Sequence, residues 1–259
     1  MGTPMTLAFE ESGSGTPLVL LHAFPYDRGM WAPQREGLAS VARVITPDLP
    51  GFGQSAPMPD ITVEGMADAV AQLLDSLRLN ERINLGGLSM GGYVAMAFAR
   101  KYPDRLCGLI LADTRGEPDD DTGRLNRGKA IEAVRTGGVA QFVDTQLPNH
   151  FSPETFAARP AIVAEAKRIA SAQSVEAIIA ALVALRDRPD AIAGLSGVSA
   201  PTLILVGEND AVTPPAVAET MRTRIPGSRF VRIPAAGHLS NMEQPDVFNA
   251  SVREFIGRA

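Results

Sequence analysis

The chain has 259 residues, 45% of them hydrophobic and 20% charged, with a formal net charge of −5. That length supports one well-buried domain. The mild acidity argues against a nucleic-acid-binding face, and no run approaches the roughly 18 apolar residues of a membrane span. The single cysteine, Cys107, excludes an internal disulfide. Met1 to Glu11 lacks the basic start and apolar run of a secretory signal, so the expected setting is cytoplasmic.

In chain order, Thr6 to Phe9 reads as an antiparallel edge strand and Pro17 to Leu21 (PLVLL) as a buried one. Arg43 to Thr46 is a strand that ends in the turn-rich Asp48 to Gly53, and Val63 to Leu77 carries apolar residues at helical spacing. Arg82 to Leu85 begins a strand and Tyr93 to Arg100 a helix. Leu106 to Leu111, Pro201 to Val206 and Arg229 to Ile233 are further strands, and Val247 to Ile256 closes the chain as a helix. This alternation predicts an α/β fold: a mostly parallel central sheet with helices on both faces. Between Thr114 and Ser196 no strand is expected. Four helical patterns stand there instead, Gly128 to Val134, Val139 to Gln146, Ala161 to Ala170 and Val175 to Leu185. The expected division is therefore a core of residues 1–113 and 197–259, with a helical lid of 114–196 inserted. The lid opens on Asp119-Asp120-Asp121, read as a solvated loop.

Gly87-Leu88-Ser89-Met90-Gly91 lies between a predicted strand and a predicted helix. A serine becomes a nucleophile only when its oxygen projects beside a base, and a sharp strand-to-helix turn achieves that projection. The turn crowds positions two before and two after, which explains Gly87 and Gly91. The base is expected late in the chain. Of the three histidines, His238 follows the last strand in Ala235-Ala236-Gly237-His238, His150 falls in the lid, and His22 ends the first core strand. The acid is expected at the end of a strand between serine and base. Asp210 in Gly207-Glu208-Asn209-Asp210 fits best, with Glu208 and Asp113 as competitors. Backbone amides supply most oxyanion sites. Here they are expected from Met90, after the nucleophile, and from Phe24 in the loop His22-Ala23-Phe24-Pro25, which His22 would fix. Tyr26, Trp31, Phe142, Leu147 and Ile178 are candidates to line a substrate pocket.

Taken together, HAFP, DLPGFGQS, GLSMGG, GENDAVTP and AGH resemble the alpha/beta-hydrolase superfamily across nearly the whole chain. The elbow and the lid length are similar to carboxylesterases, 3-oxoadipate enol-lactone hydrolases and cofactor-free haloperoxidase or perhydrolase enzymes. One departure is His22-Ala23, where the family often has His-Gly. The resemblance implies a serine hydrolase that needs no cofactor and no metal. Its partner would be a small ester, aryl ester or lactone, with no nucleic acid and no membrane, and a homo-oligomer is left open. An enol-lactone hydrolase would want cations near the site, for which Arg115, Arg124 and Arg127 are candidates. A perhydrolase differs only in admitting peroxide to the acyl-enzyme. A slow-turnover ligand receptor on the same fold is the non-enzymatic alternative. A dehalogenase would place an aspartate where Ser89 stands.

Other patterns carry less. Gly51-Phe52-Gly53-Gln54-Ser55-Ala56 matches a loose dinucleotide fingerprint, but Pro57 and Pro59 follow where a helix would have to open. No two histidines share metal-ligand spacing.

Overall fold

The computed structural model describes residues 7–257. Seven strands form one sheet: β1 (Phe9–Ser12), β2 (Pro17–Leu21), β3 (Arg43–Pro47), β4 (Ile83–Leu88), β5 (Leu106–Ala112), β6 (Thr202–Gly207) and β7 (Arg229–Ile233), in the spatial order β1-β3-β2-β4-β5-β6-β7. All neighbours are parallel except β1, which runs antiparallel to β3. Every residue of β2, β4 and β6 is buried. Successive strand residues face opposite sides, so both faces of the sheet are covered. This is why these strands read as unbroken apolar runs and not as alternating ones.

The edge strand starts later than its expected Thr6 to Phe9. Its register is set by pairing Phe9 with Pro47 and Ser12 with Val44, and Thr6 lies outside the described residues. The helices between strands are α1 (Ala32–Leu38), α2 (Val63–Ser76) and α3 (Met90–Lys101). No strand falls between β5 and β6. That stretch holds α4 (Asp121–Gln146), α5 (Pro153–Ala158), α6 (Pro160–Ser171) and α7 (Val175–Arg186). The two helices expected at its start are one kinked element, bent at Gly138, whose φ of 76° is not helical. After β6 come α8 (Pro215–Arg224), α9 (Ser240–Glu243) and α10 (Pro245–Ile256). Among the described residues no single helix is long and apolar enough to cross a membrane.

The chain leaves β2 outward to β3, then crosses back to β4 on the other side of β2. Open parallel sheets bind ligands outside the carboxyl ends of strands at such a switch. The loop after β2 and the turn after β4 both lie there, and β5 and β6 end on the same side because they run parallel to β4.

The aspartate run is not simply a solvated loop. The Asp119 side chain is buried and pairs with Arg188 at 2.7 Å and Arg127 at 3.0 Å. Burial alone would raise the Asp119 carboxyl, but the two guanidinium groups outweigh it and hold it below the usual range. Asp120 caps α4 by accepting from the Gly123 amide at 2.7 Å. Arg188 follows α7, so the two ends of the helical segment are joined through one carboxylate.

Candidate active site

Ser89 stands between β4 and α3 with φ 54° and ψ −112°. Positive φ is uncommon for a residue with a side chain, and here the surrounding backbone enforces it. A Cβ on Gly87 would sit 2.0 Å from the Gly91 carbonyl oxygen, and one on Gly91 would sit 2.1 Å from that of Leu21. Neither contact can be relieved by rotating a side chain, so the GLSMG spacing follows from the turn itself. The Ser89 amide donates to Ala112 at 3.0 Å, and the Thr114 hydroxyl donates to the Ser89 carbonyl at 2.9 Å. The Ser89 hydroxyl makes no hydrogen bond within the protein among the described residues. Such bonds in ligand-free sites often tighten only when substrate arrives.

His238 and Asp210 meet from different loops. Imidazole Nδ1 lies 2.9 Å from Asp210 Oδ2, with both side chains almost wholly buried. The other carboxylate oxygen, Oδ1, accepts from the Val212 and Thr213 amides, each at 2.8 Å, while the Thr213 hydroxyl donates to Oδ2 at 2.7 Å. Burial of Asp210 by itself would raise its pKa. His238 and the Thr213 bonds outweigh that and hold it below the ordinary value. The histidine loop is fixed from three sides. Asn209 N donates to Ala236 O at 2.8 Å, and the buried Glu243 accepts from Gly237 N at 2.7 Å and from Ser152 N at 2.9 Å. No local signal in the sequence marks Thr213 or Glu243, apart from the turn habit of an aspartate to accept from amides two and three residues on.

Asp113, the competing acid, lies elsewhere. It is fully buried; Oδ1 accepts from Gly207 N at 2.7 Å and Oδ2 hydrogen bonds with Ser240 Oγ. Burial and the neighbouring Asp210 charge push its carboxyl well above the usual range. A carboxyl whose pKa is raised by folding keeps its proton in the native state after the unfolded chain has lost it. Stability therefore falls as pH rises from about 4, the unfolded value, toward the native one. Asparagine can make the same two bonds without a titrating proton. Asp113→Asn should thus gain stability relative to wild type as pH rises from about 4 toward neutrality. Denaturant midpoints measured at pH 4, 6 and 8 test this; a constant difference across the series contradicts it. Glu208, the other competitor, is exposed, and among the described residues the carboxylate that His238 bonds is Asp210.

His22 is engaged at both ring nitrogens: Nε2 accepts from Leu49 N at 2.9 Å and Nδ1 lies 3.0 Å from Ala23 O. Burial lowers its pKa, so the neutral ring ties the loop after β2 to the loop after β3. In the loop it fixes, Tyr26 N donates to Ala23 O at 2.9 Å, leaving the Phe24 amide without a protein partner among the described residues. Met90 opens α3, where amides have no carbonyl a turn earlier to use.

A cavity of about 640 Å³ brings Ser89, His238 and Phe24 together with Tyr93, Phe142 and His150. Arg115, Glu117, Asp119 and Arg127 also line it. Of the five pocket candidates, Phe142 alone lines it. Trp31 packs against Phe248, ring centroids 5.9 Å apart, and Leu147 and Ile178 are buried in core packing. Tyr26 is buried behind His150, its hydroxyl 2.6 Å from the ring. These four were read from their sequence neighbourhoods, which do not reveal which side of an element faces the cavity. Tyr93, Gln146, Leu182 and Leu185, not singled out in the sequence, do line it. A second cavity of about 390 Å³, lined by Met96, Arg100 and Leu195, contains neither Ser89 nor a histidine. No cluster of three or more metal-ligating side chains occurs among the described residues.

A family model described as the alpha/beta hydrolase fold matches residues 16–245. The chain belongs to the alpha/beta-hydrolase family. Within it, a thermophilic esterase from Thermogutta terrifontis, solved with malate bound, is 46% identical and superposes with a TM-score of 0.94 over 97% of this chain and 93% of its own. The 3-oxoadipate enol-lactonase 1 of Acinetobacter baylyi is 29% identical over 94% of this chain and 90% of its own. The enol-lactonase of Burkholderia xenovorans is 28% identical, with a TM-score of 0.89 over 97% and 96% of the two chains. The chain is thus an alpha/beta-fold hydrolase close to esterases and enol-lactonases.

Proposed function

We propose that this hydrolase cleaves small, neutral carboxylic esters through an acyl-enzyme on Ser89. The observation that carries the reading is the His238 Nδ1 to Asp210 Oδ2 bond of 2.9 Å at the wall of the cavity that also contains Ser89. With Nδ1 held as the donor, Nε2 is free to accept a proton. Ser89 Oγ attacks the ester carbonyl carbon and its proton passes to His238. The negative oxygen of the tetrahedral intermediate is held by the Phe24 and Met90 amides. The alcohol leaves with the proton from His238, and water cleaves the acyl-enzyme by the same route. Residues 114–196 serve as the lid, giving Phe142, Leu182 and Leu185 to the cavity.

The charges around the cavity support a neutral substrate. Of its two lining arginines, Arg127 is paired with Asp119, and Glu117 and Asp120 add negative charge. Arg124 donates to the Asp119 carbonyl, at 3.4 Å, and does not line the cavity. One observation favours the enol-lactone reading: Arg115 donates to the Val212 carbonyl at 2.9 Å, has no carboxylate partner among the described residues, and its Nε is buried without a bond there. A panel of p-nitrophenyl acetate and butyrate, neutral methyl esters, a monomethyl dicarboxylate and a carboxylate-bearing enol-lactone separates the two. Neutral esters are expected to have the higher kcat/KM. A lactone turned over a hundredfold faster than every neutral ester would move the assignment, and no turnover on any member would favour a receptor.

A further inference from the structure

His238 is the base and His22 fixes a loop; His150 is the remaining histidine, and it lies within reach of the chemistry. It lines the cavity that holds Ser89 and His238, and its ring centroid is 5.9 Å from that of His238. Its backbone is pinned where its carbonyl accepts from Leu239 N at 3.0 Å, one residue past His238. Behind it, the Tyr26 hydroxyl lies 2.6 Å from His150 Nδ1, and Tyr26 is wholly buried.

Hydrogen-bond accounting fixes the tautomer. The Tyr26 hydroxyl has no other partner among the described residues. If Nδ1 carried the proton, the phenolic hydrogen would be left buried without an acceptor, which is costly. If the phenol donates to Nδ1, every group behind the ring is satisfied and the ring's hydrogen sits on Nε2. Burial pushes the phenol pKa up, so it keeps its proton. Burial, reinforced by His238, pushes the imidazole down to about 3. The ring is therefore neutral, and its Nε2 hydrogen has no protein acceptor among the described residues.

We infer that Tyr26 and His150 form a built hydrogen-bond donor, His150 Nε2–H, that binds an acceptor oxygen on the leaving-group half of the substrate. This rests on the ester-hydrolase reading, in which His238 hands its proton to the leaving oxygen. The alcohol half therefore lies against His238, the ring that His150 neighbours, while the Phe24 and Met90 amides hold the carbonyl oxygen. The alcohols favoured would carry an ether, hydroxyl or carbonyl oxygen a few atoms beyond the ester.

Two matched pairs of esters read this contact. Butyl acetate and 2-methoxyethyl acetate differ by an oxygen for a methylene in the alcohol. Ethyl pentanoate and ethyl 3-methoxypropanoate differ in the same way in the acyl group. In His150→Phe the kcat/KM ratio of 2-methoxyethyl to butyl acetate should fall roughly tenfold, the weight of one neutral hydrogen bond, with the acyl pair unmoved. Tyr26→Phe combined with His150→Phe leaves no unpaired phenol and should show the same fall, guarding against a folding defect in the single variant. His150→Gln, whose amide nitrogen reaches toward the Nε2 position, should restore part of the ratio. An unchanged ratio, or a fall in the acyl pair instead, overturns the proposal. The tautomer is read separately by histidine side-chain ¹⁵N NMR of the wild type at pH 7, expected to show His150 protonated at Nε2 and bare at Nδ1. A proton on Nδ1, or on both nitrogens, also overturns it. If the wild type cleaves none of the four esters while NMR shows the expected tautomer, it is the ester-hydrolase reading that fails.

Discussion

Ser89→Ala is expected to abolish ester hydrolysis, lowering kcat by about 10⁶-fold, the scale on which loss of a serine nucleophile acts. The fold should survive. Although Ser89 is the N-cap of α3, its side chain makes no capping bond, and its hydroxyl holds no other element. Alanine keeps the β-carbon, so the positive φ costs the same before and after. The unfolding free energy should move by no more than about 0.5 kcal/mol, the range of substitutions that break no buried contact. Turnover and a denaturant melt on the same preparation check both halves. A folded variant that keeps more than a small fraction of wild-type turnover would remove Ser89 from the mechanism.

Asp210→Asn should lower kcat by about 10⁴-fold, as replacement of a triad carboxylate by its amide does. The amide's orientation can be worked out from the site. Oδ1 accepts from two backbone amides, Val212 and Thr213. The asparagine oxygen must take that place, since an NH₂ group there would face two donors. The NH₂ group is then turned toward His238 Nδ1 in place of Oδ2. It donates to Nδ1, so the ring's proton moves to Nε2 and the base can no longer accept from Ser89. Asp113→Asn, by contrast, should change turnover only a few-fold, because Asp113 bonds to Gly207 and Ser240 and not to the imidazole. Equal losses in the two variants would contradict this division of roles.

What was legible in the sequence follows from how local each signal is. β2 occupies the residues read for it because a buried parallel strand is a continuous apolar run between turns; β7 also matches its expected residues, although at the sheet edge only its Ile233 is buried. The elbow was legible because its glycines answer to a backbone clash within five residues. β1 was misplaced because its register comes from β3, through the pairing of Phe9 with Pro47, which is distant in sequence. The start of α3 was read late because Met90-Gly91-Gly92 has poor helix propensity and is held by the turn before it. α1 and α8 went unread although each has a proline in its first turn, a recognised start signal. The Tyr26–His150 pair joins residues 124 apart, and no periodicity or motif carries such a contact. For the same reason the pocket was the least legible part. A cavity wall is chosen by which side of each helix between β5 and β6 faces inward, and that is settled by packing between α4, α6 and α7.

The most direct test of the central claim is covalent trapping with a small fluorophosphonate, followed by peptide mass mapping. The account predicts one adduct per chain, on Ser89, formed in step with loss of esterase activity and suppressed in His238→Ala. Ser55 is the informative control. It lies on the turn after β3, but its hydroxyl donates to the Asp48 carbonyl at 2.7 Å and accepts from Ala8 N at 2.9 Å, with no base beside it, so it should stay unmodified. An adduct on Ser55 or any other serine that tracks the loss of activity, or full inactivation with Ser89 unlabelled, would contradict the account.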